Sequence, residues 1–177
     1  MTADLGTARE IDARAHGEPG QRTFEIRVIG ANYQSASFWV EKQQIEALNM
    51  ALTQVLAQLN LPTRRADTIG TFPEGPDHSF RVGRMAIGFD TSNSTVVLQV
   101  FEISRDEDEE DPDVQVRITE DACASLNTRL QEIIEAGRPI CPLCRQSMDP
   151  EGHACIRSNG HSKQPIPDRL EDDEEDA

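Results

Sequence analysis

The same succession of patterns occurs twice along this chain: three short runs of alternating apolar residues, then an amphipathic stripe. Few architectures accommodate it. In the first half, residues 11–17 and 22–30 flank Glu18-Pro19-Gly20-Gln21, where proline presets φ at the second turn position and glycine accepts the positive φ of a type II turn at the third. TFEIRVIG turns Phe24, Ile26 and Val28 to one face, and SASFWV adds Phe38 and Val40. Ile45, Leu48, Leu52, Val55, Leu56 and Leu59 then recur at helical spacing, closed by Pro62. In the second half, FRVGRMAIGFD, TVVLQVFEI and DVQVRIT read as strands, with Ser92-Asn93-Ser94 as a turn. A helix over 120–136 follows, carrying Cys123, Leu126, Leu130, Ile133 and Ile134 and ending at Gly137.

Laid over each other, Val40 falls on Ile118, Ile45 on Cys123, Leu48 on Leu126, Asn49 on Asn127, Leu52 on Leu130 and Val55 on Ile133. Two amphipathic helices that each follow a strand would also align this way without any repeat. The expectation is an α+β fold in which duplicated βββα units form a mainly antiparallel sheet with two helices on one face. The halves cover about 11–62 and 80–137. Residues 1–10 are expected to be a flexible N-terminus, 63–79 a proline- and glycine-containing link, and 138–160 a knuckle. Residues 161–177 are expected to form a disordered acidic tail.

The net charge of −15 is concentrated. Residues 105–113 and 168–177 each hold seven acids against one arginine, so the acidity belongs to a loop and a tail. No apolar stretch approaches the roughly 20 residues that cross a bilayer. The first residues lack the apolar run of a secretory signal, so the expected compartment is the reducing cytoplasm.

Chemistry concentrates at Cys141, Cys144, His153 and Cys155, a C-x2-C-x8-H-x-C cluster. Three thiolates and an imidazole fill a tetrahedral zinc site and leave no corner for a reactive water, which makes the metal structural. A Cys141–Cys144 redox pair and adventitious binding are the competing readings, and His161 is a second candidate for the imidazole. The reversal Asp149-Pro150-Glu151-Gly152 would bring His153 and Cys155 round. Cys123 sits on the helical stripe and reads as a small buried hydrophobe. A glycine after the second cysteine would free backbone N–H groups toward sulfur; Arg145 stands there instead, at the cost of strain or a different turn.

GEPGQRTF at 17–24, VEKQQIEAL at 40–48, and GRPICPLC with DPEGHAC and RSNG between 137 and 160 together resemble the uncharacterised bacterial family known as domain of unknown function 3090. The likeness spans roughly 13–160 and departs from the family pattern at Arg145 and Ile156. It implies a cytoplasmic protein mainly of high-GC bacteria, with a histidine-phosphatase-like or lipid-kinase-like protein as possible company. It implies no activity.

The function favoured on these grounds is a non-catalytic binding or adaptor protein with a structural zinc. Its recognition surface would comprise Gln21, Arg22, Glu41, Lys42 and Gln43, although turn and helix-start architecture accounts for several of these alone. An enzyme or enzyme subunit linked to phosphoryl chemistry is the alternative. The chain carries no G-x4-G-K-[ST], G-x-S-x-G or H-E-x-x-H motif, and no catalytic residue is assigned. Single-stranded nucleic-acid binding through the knuckle ranks last, because the knuckle lacks a stacking aromatic and the acidic tail opposes phosphates.

Overall fold

The computed structural model describes residues 1–18, 21–62, 70–104, 110–137, 141–145, 148, 155 and 157. The chain divides into two compact units, Met1–Arg138 and Pro139–Ala177. The first contains strands β1 (Ala3–His16), β2 (Thr23–Gly30) and β3 (Ser35–Val40), then helix α1 (Lys42–Gln58). Strands β4 (His78–Asp90), β5 (Thr95–Glu102) and β6 (Val114–Thr119) follow, then helix α2 (Glu120–Glu135). It is an α+β unit with a mixed six-stranded sheet.

The sheet closes into a barrel in the order β1-β2-β3-β4-β5-β6. Closure depends on β1 and β4, which each serve two neighbours. Ala3, Asp4 and Thr7 of β1 run parallel to β6, and from Ala8 onward the same strand runs antiparallel to β2. Likewise His78 to Arg81 run parallel to β3, and from Val82 onward β4 runs antiparallel to β5. Each hand-over has a register shift, between Ala8 and Glu10 in one strand and between Val82 and Arg84 in the other. A bulge of this kind bends a strand and raises its twist, as a change of neighbour requires. Gly30 sits where β2 passes the start of β1: a Cβ there would come 2.1 Å from the Leu5 carbonyl oxygen, so no side chain fits.

One expectation is corrected here. The stretch expected to be flexible, residues 1–10, is strand from Ala3, anchored by Leu5, which is wholly buried. Arg117 clamps the Asp4 carboxylate through two bonds of 3.2 and 2.9 Å. The sheet is mainly antiparallel, as expected, with β1–β6 and β3–β4 as its two parallel pairs, and it closes because that N-terminal segment pairs with β6 and links the two ends.

The alternating residues behave as their periodicity requires. Phe24, Ile26 and Val28 of β2, Phe38 and Val40 of β3, Val96, Leu98 and Val100 of β5, and Val114, Val116 and Ile118 of β6 are buried in one core. Ile45, Leu48, Leu52 and Leu56 of α1 join that core with Cys123, Leu126 and Leu130 of α2. The two helices also meet through polar groups, Thr53 Oγ1 donating to Asn127 Oδ1 at 3.2 Å.

Helix ends follow local chemistry. Gln44 accepts from the Glu41 N–H at 2.9 Å and donates to the Val82 carbonyl at 3.0 Å, so the start of α1 is tied to the β4 bulge. At its other end Asn60 adopts φ 52, and Leu61 N–H donates to the Leu56 carbonyl in a Schellman closure. Thr119 caps α2 by accepting from Ala122 N–H, with Glu120 and Asp121 in the first turn facing the positive helix end.

One buried carboxylate joins three elements. Asp12, 2% exposed, accepts from Arg27 at 3.1 Å and from Arg14 at 3.3 Å, and Arg129 Nε of α2 stands 3.5 Å away. Removing one member of such a buried group leaves the others uncompensated. Asp12→Asn is expected to destabilise the unit by about 3 kcal/mol, seen as a lower urea midpoint at unchanged denaturant slope. Glu132→Gln, which breaks only the exposed pair with Arg129, should move the midpoint by less than about 0.5 kcal/mol equivalent.

Candidate functional site

In the second unit, the Cys141-Pro142-Leu143-Cys144 segment forms a turn, and the Arg145 N–H donates to the Cys141 carbonyl at 2.9 Å. Arg145 adopts φ 58, the left-handed conformation that glycine takes freely and other residues take at about 1–2 kcal/mol. The question left by the sequence is thereby answered: the glycine geometry is kept and the strain accepted. Arg157 returns to the turn, donating to the Leu143 carbonyl at 3.1 Å.

The sulfurs of Cys141, Cys144 and Cys155 all lie within 4.8 Å of one another. Those of Cys141 and Cys155 are 3.8 Å apart, unbonded, in residues only 4% and 5% exposed. Thiolates around a tetrahedral ion with bonds near ~2.3 Å sit about 3.8 Å from each other. The three cysteines could therefore hold a metal ion, and soft, convergent sulfur donors suit zinc-type rather than magnesium-type chemistry. His153, His161 and the reversal at 149–152 lie outside the described residues, as do the acidic residues 105–109 and the tail. Cys123 stays apart in the barrel core, where burial, helped by Glu120, pushes its thiol up to about 11.

The other residues named from the sequence gather at one end of the barrel. Phe24 pairs with Val40, so the register puts Arg22 and Glu41-Lys42 at the same end of the β2–β3 pair. Gln21, Glu41, Lys42 and Gln43 are exposed. Glu18 and Gln21 share the i to i+3 backbone bond of a β-turn, at 3.0 Å, with Pro19 and Gly20 outside the described residues. Arg22 is half-buried and donates to the Ile133 carbonyl at 3.4 Å, so part of its guanidinium serves the end of α2. Glu41 approaches Arg81 at 3.5 Å and Lys42 approaches Glu46 at 3.6 Å, both exposed pairs.

Sequence reasoning missed a polar face on β1, β2 and β3. Glu25 accepts from Ser37 Oγ at 2.6 Å and from His16 Nε2 at 2.8 Å, and the His16 ring lies against Trp39 with centroids 5.2 Å apart. Burial alone would raise the Glu25 carboxyl. The bonds from Ser37 and His16 and the charges of Arg27 and His16 outweigh it and hold the group below its ordinary 4.5. Residues 70–76, which form no strand or helix, border this face in a cleft of ≈600 Å³ with Arg14, Glu25, Arg27, Trp39, Phe72 and Glu74 among its walls. The only available signal was the polar half of each strand's alternation, which reads equally well as plain solvent exposure.

Fold and site together define an α+β barrel protein with a C-terminal cysteine cluster able to hold a metal ion; among the described residues no helix is long and apolar enough to cross a membrane. The chain belongs to the family described as protein of unknown function (DUF3090), whose model matches residues 5–155. Comparison with curated proteins finds no match, and comparison with solved structures finds none.

Two outcomes follow. Because the folded Glu25 carboxyl is depressed, its stabilisation is full above its ordinary 4.5 and is lost as pH falls through the lower folded value. Glu25→Gln should thus be less stable than the parent at pH 7, with the gap closing below pH 4.5 in pH-dependent urea melts. Arg145→Gly removes the left-handed strain and should slow metal loss to a chelator by about threefold to tenfold, measured by competition with a chromogenic chelator.

Proposed function

We propose that Cys141, Cys144, His153 and Cys155 bind one structural zinc ion, and that the protein is a non-catalytic cytoplasmic binding or adaptor protein whose C-terminal unit is clasped by that metal. The observation that carries the reading is the convergence of three sulfurs within 4.8 Å of one another, one pair at the 3.8 Å of a tetrahedral site. The sequence interval from Cys144 to Cys155 supplies His153 as fourth ligand, and a site filled by four protein ligands has scaffolding as its use. Ligation of this kind contributes on the order of 10 kcal/mol in small metal-nucleated peptides. That exceeds what the few apolar residues of the segment could supply.

The two βββα halves of the barrel are proposed to be duplicated units. Support comes from register: Phe24, Ile26 and Val28 pair with Val40, Phe38 and Ala36, as Val96, Leu98 and Val100 pair with Ile118, Val116 and Val114. The hand-over bulges match too, with Ala8 opposite Gly30 and Glu10 opposite Ile29, as Val82 lies opposite Glu102 and Arg84 opposite Phe101.

For the recognition surface, the exposed Gln21, Glu41, Lys42 and Gln43 are proposed as contacts, with Arg22 bracing the turn against α2. The partner implied by the family resemblance is a histidine-phosphatase-like or lipid-kinase-like protein.

Elemental analysis of reduced, freshly purified protein should return one zinc per chain, falling to well under half in Cys141→Ser; no stoichiometric metal would remove the proposal. Chelation should speed amide exchange around residues 141–157 while β1 to α2 keep their protection. Exchange that rises across the whole chain, or nowhere, contradicts the clasp.

A further inference from the structure

The polar face on β1, β2, β3 and the start of β4 is a grid set by strand register. Residues directly opposite each other in a sheet point to the same side. One row reads Arg14, Glu25, Trp39, Arg81, and the next reads Asp12, Arg27, Ser37, Ser79. The inner faces of these strands carry the apolar core, so both rows look outward, with residues 70–76 at their border.

The second row is largely spent on the protein itself. Arg27 is committed to Asp12 and to the Phe72 ring, whose centroid lies 4.2 Å from its guanidinium carbon. Ser37 is committed to Glu25. In the first row Glu25 accepts from Ser37 and His16 and Arg81 pairs with Glu41, but Arg14 keeps bonding capacity. Arg14 makes one bond, from Nε to Asp12, and its side chain is 49% exposed, so its two terminal amino groups have no partner among the described residues. Glu74 on the bordering segment has no hydrogen bond or ion pair among the described residues, and Glu25 is held as a carboxylate by its neighbours. Trp39 and Phe72 add two aromatic surfaces to the same cleft.

Arg14 and Glu74, with the Glu25 carboxylate in the same cleft, specify a ligand. A guanidinium with both terminal amino groups available matches a carboxylate fork to fork. Carboxylates nearby accept an ammonium, and aromatic walls take an apolar body. Among the cleft walls Glu25 and Glu74 balance Arg14 and Arg27, which favours a molecule with no net charge over a phosphate dianion. A volume of ≈600 Å³ accommodates one or two amino-acid residues with room for water.

We propose that this cleft binds a small zwitterion with an apolar side chain, a free amino acid or a dipeptide. Its carboxylate would lie on Arg14, its ammonium toward Glu25 and Glu74, and its side chain against Trp39 and Phe72. The cleft is built from residues of the first unit and does not rest on the metal proposal.

Trp39 is the single tryptophan of the chain, so its fluorescence reports on the cleft directly. Full-length protein, reduced and as purified, is titrated with L-leucine and with L-leucyl-L-leucine, and heats are measured in parallel by calorimetry. A saturable signal with either compound is expected, and the tighter of the two tells the free amino acid from the dipeptide. N-acetyl-L-leucine and L-leucinamide, which each lack one charge, should bind at least tenfold more weakly than L-leucine. Arg14→Ala should weaken the zwitterion at least tenfold, with Arg14→Lys recovering part of the loss. Glu74→Gln, on an exposed loop and harmless to folding, should weaken L-leucine but leave N-acetyl-L-leucine unchanged. Neither fluorescence nor heat responding to either zwitterion would overturn the proposal. So would equal affinity in Arg14→Ala with an unchanged circular dichroism spectrum, or tighter binding of inorganic phosphate.

Discussion

The inward burial of Phe24, Ile26 and Val28 is the constraint on which the molecule depends. A strand has a period of two, so placing these three residues in the core fixes which side Glu25 and Arg27 must occupy. Pairing with β1 and β3 then lines up Arg14, Trp39, Asp12 and Ser37 beside them. A slip of one position would bury charges and expose the core, which is why the polar face has one arrangement. Asp12 reinforces that choice by drawing guanidinium groups from β1, β2 and α2 onto one carboxylate.

Much of this was legible in the residues. The strands after residue 11, both helices, the close of α1 before Pro62 and the turn at Ser92-Ser94 follow from alternation, helical spacing and punctuation that are all local. The first part of β1 was not legible. Apart from Leu5 it offers Asp4, Gly6 and Thr7, a polar, glycine-interrupted string whose strand character comes from β6, more than a hundred residues away in the chain. Closure of the sheet was invisible for the same reason. The cysteines announced themselves by spacing, whereas the conformation of Arg145 came only from coordinates. The cleft was hidden differently: its members are the outward residues of three strands, and an outward polar residue gives no sign in sequence of whether water or a ligand covers it.

The two units use different physics. The barrel is held by apolar burial, with helices that complete the core and caps that finish each helix. The C-terminal unit has few apolar residues, and among its described residues three cysteine sulfurs converge.

Closing the sheet also removes an opportunity for error. Most sheets end in strands whose backbone N–H and C=O groups await partners, and a second chain can dock there and start an aggregate. Here the last strand is joined to the first. Among the described residues the sheet therefore presents no open strand edge of that kind.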